Sequence, residues 1–233
     1  RTLAHLDPFL LLDHMGPVTF EPGKGVGTSW HPHRGFETVT YVLDGQMEHR
    51  DSMGNHGLLN PGDTQWMTAA AGVLHKEGPS ADMQRTGGTL HGLQLWVNLP
   101  AAEKMAQPAY QDLREAANAR REEPGATIRV IAGSLFGLDG PGRTRWPISY
   151  AHLTLDAGAE ATTGTFSASI RSNSAWVRLS APVSTPGSAM SSNSVTSAPA
   201  MKPESLAESR MTPLSSPAGI IPSMAVTIVS SSV

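Results

Sequence analysis

Turn signals recur about every 8 to 12 residues through the first half of this chain, with runs of β-branched and aromatic residues between them. Such spacing favours an antiparallel all-β sandwich or barrel over any βαβ arrangement. Residues 36–43 (FETVTYVL) form the clearest strand, and Asp44-Gly45 supplies the hairpin turn after it. Residues 46–50 read as the return strand. DSMGN (51–55) and NPGD (60–63) are further turns, with strands expected at 64–68, 73–77 and 90–99. Pro108 interrupts residues 100–119, which therefore read as a connector, and strand patterns resume at 126–132 and 148–155.

Composition narrows the chemistry. The chain contains no cysteine, which removes disulfides, thiolate zinc sites and thiol nucleophiles. Its 233 residues suit one large domain or two small ones. The net charge of -3, without any basic run, gives no expectation of direct nucleic-acid or membrane binding. No apolar run reaches the roughly 20 residues of a bilayer span. The chain opens on Arg1-Thr2-Leu3 with neither an initiator Met nor a secretory pattern, so a cytoplasmic protein lacking its first residues is expected. All 9 histidines and 31 of the 37 charged side chains precede residue 161, so the chemistry is sought there.

The densest run of ligand-capable side chains is Trp30-His31-Pro32-His33-Arg34-Gly35-Phe36-Glu37. On an extended chain alternate residues share a face, so His31 and His33 point the same way. His75-Lys76-Glu77 repeats that geometry, presenting an imidazole and a carboxylate together while Lys76 points away. Two such strands converging in a barrel would offer three imidazoles and one carboxylate to one ion. That set suits Fe(II), Mn(II), Ni(II), Cu(II) or Zn(II) and leaves two positions of a six-coordinate ion open. The remaining histidines, His5, His14, His49, His56, His91 and His152, read as surface or hydrogen-bonded structural groups. Trp66, Met67, Phe36 and Trp96 read as core filler. Gly23 to Thr28 lacks phosphate-loop spacing and leads into a strand, so it reads as a turn-rich approach to the barrel.

LDPFLLLDHMGP (6–17), GVGTSWHPHRGFETVTYVLDG (25–45), HRDSMGN (49–55), PGDTQWMTA (61–69) and VLHKE (73–77) together resemble the pirin family of the cupin superfamily, a likeness reaching from about residue 3 to 155. The resemblance implies a bicupin of two jelly-roll barrels, with a second barrel that is incomplete or degenerate here. The organisation it suggests is a metal-binding cupin barrel over 1–110, a connector with the start of a second barrel over 111–165, and a Ser/Pro/Ala-rich, poorly ordered segment over 166–233. It further implies one metal, usually iron, held by His31, His33, His75 and Glu77, with Glu37 beside the ion rather than on it. The activity implied is an iron-dependent quercetin 2,3-dioxygenase using a flavonol and dioxygen, in which Glu77 is the catalytic residue that accepts the hydroxyl proton. Pirins also act as redox-sensing regulators that bind a transcription factor or a metabolic enzyme without turnover, and that is the alternative reading.

This chain departs from the pirin pattern in two places. TAAAG (68–72) stands where pirins commonly read TAGRG, so Ala70 occupies the position of a turn glycine whose backbone geometry alanine disfavours. Ala71 removes an arginine. Past Gly164 the recognisable pattern ends, and residues 181–233 hold 14 Ser and 7 Pro with no aromatic residue. Such a segment has little to bury against the entropy of ordering it. A shifted reading frame and a divergent tail both account for it. An uninterrupted coding sequence across codons 155 to 175, recurring in independent isolates, excludes the shifted frame.

Overall fold

The computed structural model describes residues 7–156 together with Glu160–Thr163, Phe166–Ser169, Trp176–Ser180 and Met224–Ser231. The chain divides into two compact units, Arg1–Ala117 and Asn118–Val233. Much of the segment expected to be poorly ordered, 166–233, lies outside the described residues.

The first unit holds β1 (Phe9–Phe20), β2 (His31–His33), β3 (Phe36–Asp44), β4 (Met47–Asp51), β5 (His56–Leu59), β6 (Thr64–Thr68), β7 (Val73–Pro79), α1 (Ala81–Thr86), β8 (Gly88–Asn98) and β9 (Ala109–Leu113). These strands form two sheets, a five-stranded one in the order β1-β8-β3-β6-β9 and a four-stranded one in the order β2-β7-β4-β5. Every pairing within them is antiparallel. Side chains alternate between the faces, and β7 shows it plainly, with Val73, His75, Glu77 and Pro79 buried and Leu74 exposed. The apolar inward residues form the core. Val42, Met47, Leu59, Met83 and Leu90 cluster with Met15 and Phe20, while Met67, Ala69 and Val73 cluster with Tyr110. Each large side chain so buried contributes roughly 1.5–3 kcal/mol. Trp66 is fully buried, as expected of core filler. The short helix α1 is capped by the Ser80 hydroxyl accepting from the Met83 amide at 3.2 Å and closes on Gly87.

The second unit contains β10 (Ala119–Glu123), β11 (Ala126–Ala132), β12 (Ser134–Leu135), β13 (Leu138–Asp139), β14 (Ile148–Leu155), β15 (Glu160–Thr163), β16 (Phe166–Ser169), β17 (Trp176–Ser180) and β18 (Met224–Ser231). Its main sheet runs β10-β11-β14-β18-β17, with β14 and β18 parallel. Ile128, Val130, Leu153 and Leu155 lie at the centre of its apolar cluster.

Strands β3, β6, β7, β8, β11 and β14 match the expected runs closely. The connector differs from expectation. Pro108 ends the irregular stretch, and β9 begins directly after it as the edge strand beside β6, a place where a missing amide donor costs nothing. At the β6–β7 corner Ala70 takes φ +43° while fully buried, the left-handed geometry expected for the glycine it replaces. Replacing Ala70 by Gly removes about 1–2 kcal/mol of backbone strain against roughly 0.4–1 kcal/mol of added unfolded-state entropy. Ala70→Gly is therefore expected to stabilise the protein by about 0.5–1 kcal/mol, read as a higher midpoint in urea unfolding.

Candidate metal centre

Strands β2 and β7 lie side by side with His31 opposite His75 and His33 opposite Val73, so the HxH and HxE strands project their alternate side chains inward from adjacent positions. The ring centroids stand 4.8 Å apart for His31–His33, 4.4 Å for His31–His75 and 4.7 Å for His33–His75. The ligand atoms of these three histidines all lie within 4.8 Å of one another. Glu77 joins them through His75, with its Oε1 3.2 Å from the His75 Nδ1. The backbone of Glu77 is held from the other side, where its carbonyl accepts from the Thr28 amide at 2.7 Å and its amide donates to the Thr28 hydroxyl at 3.0 Å. Gly27 permits this approach, since a Cβ there would stand 2.6 Å from the Glu77 carbonyl oxygen. Lys76 faces away, its ammonium 5.5 Å from the Trp30 ring centre.

A fourth imidazole completes the cluster. His49 on β4 pairs with Glu77, and His49, His75 and Glu77 form a second group whose ligand atoms lie within 4.8 Å. His49 is fully buried, with its Nδ1 3.4 Å from that of His75 and 2.9 Å from the Gln65 amide nitrogen. Its Nε2 stands 3.5 Å from the Asp51 carboxylate, which is itself fixed by the amides of Met53 and Asn55. The sequence reading of His49 as a structural histidine therefore missed its place beside the donor set. The signal was its register position on the strand after the hairpin, which only the β4–β7 pairing reveals. Glu37 is buried and accepts from the Thr68 hydroxyl at 2.7 Å; it belongs to neither group. Among the described residues both groups fall in the first unit.

The protonation states suit a cation. The Nδ1–H of His31 donates to the Ser29 carbonyl at 2.8 Å, which leaves its Nε2 with the lone pair. Burial, reinforced by His75 and His31, lowers the His33 imidazole to about 4, so it is neutral at physiological pH. Burial likewise lowers His49. Burial alone would raise the Glu77 carboxyl, but the neighbouring His75, with His49 and His31, outweighs it and holds the group below the usual carboxylate range. The buried His75 Nε2 and Glu77 Oε1 have no hydrogen-bond partner. A positive ion would satisfy both, so the residues fit a metal. Beside them stands an aromatic wall. Trp96 stacks on Phe36 at 4.7 Å, and both meet the His33 ring edge-on at 5.1 Å.

Residues 1–97 match the family model described as Pirin. The chain is 50% identical over 159 residues to a Pseudomonas aeruginosa protein provisionally named quercetin 2,3-dioxygenase, an alignment covering 66% of this chain and 55% of that protein. It is 45% identical over 159 residues to human pirin, covering 68% of this chain and 51% of pirin. Among solved structures, a quercetin 2,3-dioxygenase from Acinetobacter baumannii is 44% identical with a TM-score of 0.58, over 60% of this chain and 50% of that one. The protein GK1651 of Geobacillus kaustophilus is 42% identical with a TM-score of 0.57, over 75% of this chain and 60% of that one. The chain thus spans about half the length of the curated relatives it matches. With the two-sheet barrel, its inward histidine cluster and these relatives in agreement, the chain belongs to the pirin family of cupins.

Proposed function

We propose that this protein holds one iron ion, Fe(II), on His31, His33, His75 and Glu77 and uses it to oxygenate a flavonol of the quercetin type. The observation that carries the metal-binding part is the neutral His33 imidazole beside two buried ligand atoms that have no hydrogen-bond partner, His75 Nε2 and Glu77 Oε1. The substrate class is supported by relatives named for quercetin 2,3-dioxygenase activity and by the aromatic wall beside His33. When bound, the iron supplies Lewis acidity and one-electron chemistry with dioxygen.

The chain's own residues do the rest. Phe36 and Trp96 present faces and edges against which a planar flavonol packs. Glu77, ionised because His75, His49 and His31 stabilise its charge, accepts the proton of the flavonol hydroxyl. The buried setting of His75 and Glu77 excludes competing water.

Iron-loaded protein incubated with quercetin in air is expected to bleach the flavonol absorbance, and an occupied metal site without bleaching overturns the substrate reading. His75→Ala is expected to lose both bound iron and turnover, measured by metal analysis and absorbance. Glu77→Gln, which keeps the shape but removes the base, is expected to lower kcat by about 100-fold or more. The lowered imidazoles also set a pH dependence. Between pH 6.5 and about 4 the unfolded chain takes up protons that folded His33 refuses, so the metal-free protein loses stability as pH falls through that window. His49 acts with the same sign. Glu77, lowered in the fold, contributes stability that is present above the ordinary carboxyl value of 4.5 and is lost as pH falls below it. Thermal melts of the metal-free protein are expected to fall steadily from pH 6.5 to about 4, and His33→Ala is expected to flatten part of that fall.

A further inference from the structure

Gln94 lies on β8, in the sheet opposite the one that carries the histidines, and its side chain reaches across the barrel to Glu77. Its amide nitrogen donates to the Glu77 Oε2 at 3.0 Å and approaches the Thr40 hydroxyl at 3.3 Å. Its amide oxygen accepts from the indole nitrogen of Trp96, two residues along the same face of β8, at 2.9 Å. The indole N–H can only donate, so the Gln94 oxygen must face it and the NH2 must face Glu77. The flipped amide would set oxygen against carboxylate and N–H against N–H. The orientation is thus dictated by partners at both ends.

We propose that Gln94, locked by the Trp96 indole, is the positioning residue that decides which oxygen of Glu77 faces the histidine cluster. With Oε2 engaged by Gln94, Oε1 is the atom left 3.2 Å from His75 and without a hydrogen-bond partner. Trp96 is also the wall residue stacked on Phe36 and edge-on to His33. One indole therefore serves two roles, a packing surface at the rim and, through Gln94, the anchor of a metal-facing carboxylate. Thr40, whose hydroxyl lies 3.4 Å from the same Oε2, is a weaker auxiliary donor. The inference rests on the metal-binding part of the proposed function and is independent of its substrate.

The test is Co(II) binding to the full chain, read as a dissociation constant and as the visible d–d spectrum, with no flavonol present. Groups that orient metal ligands typically contribute about 10- to 100-fold in affinity, so Gln94→Leu is expected to weaken Co(II) binding at least ~10-fold and to change the spectrum. Trp96→Phe keeps an aromatic ring at the wall and removes the indole N–H together with the pyrrole portion of the ring. Its loss of the N–H is expected to weaken binding in the same direction by a smaller factor, and Gln94→Leu/Trp96→Phe is expected to bind no more weakly than Gln94→Leu alone, because Trp96 acts on the metal site through Gln94. If Gln94→Leu does not fold, Gln94→Asn takes its place, since its amide is one methylene too short to span both partners. Affinity within about twofold of the wild type for both single variants, or additive losses in the double variant, overturns the proposal. Failure of quercetin turnover leaves these readings untouched, so the two ideas fail separately.

Discussion

Gathering four imidazoles and a carboxylate in one small barrel, with His49, His75 and Glu77 buried, is the constraint on which the rest of this structure depends. Charged imidazoles at ring separations of 4.4 to 4.8 Å would repel one another across a medium that screens poorly. The fold relieves this at two of the four rings, since burial with the neighbouring His75 and His31 lowers His33 and burial lowers His49. It places the one ionised group, Glu77, where the neighbouring imidazoles of His75, His49 and His31 favour its charge. A site so arranged suits a cation, because a positive ion would satisfy His75 Nε2 and Glu77 Oε1, which are buried without a hydrogen-bond partner.

The two sheets share the work unequally. The four-stranded sheet supplies the donors, because β2, β7 and β4 are neighbours and their registers set His31 opposite His75 and His49 opposite Glu77. The five-stranded sheet supplies the restraints. Gln94, Thr40 and Trp96 all project from β3 or β8 and terminate on Glu77 or on the aromatic wall. A carboxylate at the end of a flexible side chain would otherwise wander between its two faces. Anchoring it to the opposite sheet makes the donor geometry a property of the barrel rather than of one strand.

Local period carries the features that are legible in the sequence. Strands β3, β6 and β7 announce themselves by β-branched and aromatic runs bounded by turns, and HxH and HxE announce a shared face because alternation is a property of a single strand. Pairing between distant strands carries the features that are not. His49 and Gln94 sit in ordinary strand text, and nothing within several residues of either reveals Glu77 on the facing position. The long β1 escapes a strand reading for a different reason. Its run FLLLDHMGPVTF does not alternate, and as the outer strand of its sheet it buries only Phe9 fully. Pro108 hides β9 by reading as an interruption when it marks the start of an edge.

The turn at residues 69–72 shows why a strained alanine is tolerable beside such a site. Ala70 comes after β6 and leads toward β7, and its carbonyl accepts from the Gly35 amide at 2.7 Å, directly after the HxH strand. That one bond ties the corner after His33 to the corner before His75. The same turn is pinned again by Gly72 donating to Ala69 at 2.8 Å and Ala71 donating to Ala106 at 3.2 Å. All three bonds use backbone atoms, so replacing a glycine by alanine leaves them in place and adds only torsional strain of about 1–2 kcal/mol. The cost is therefore felt in the stability of the fold as a whole, while the relative placement of the two donor strands, set by backbone pairing, is preserved.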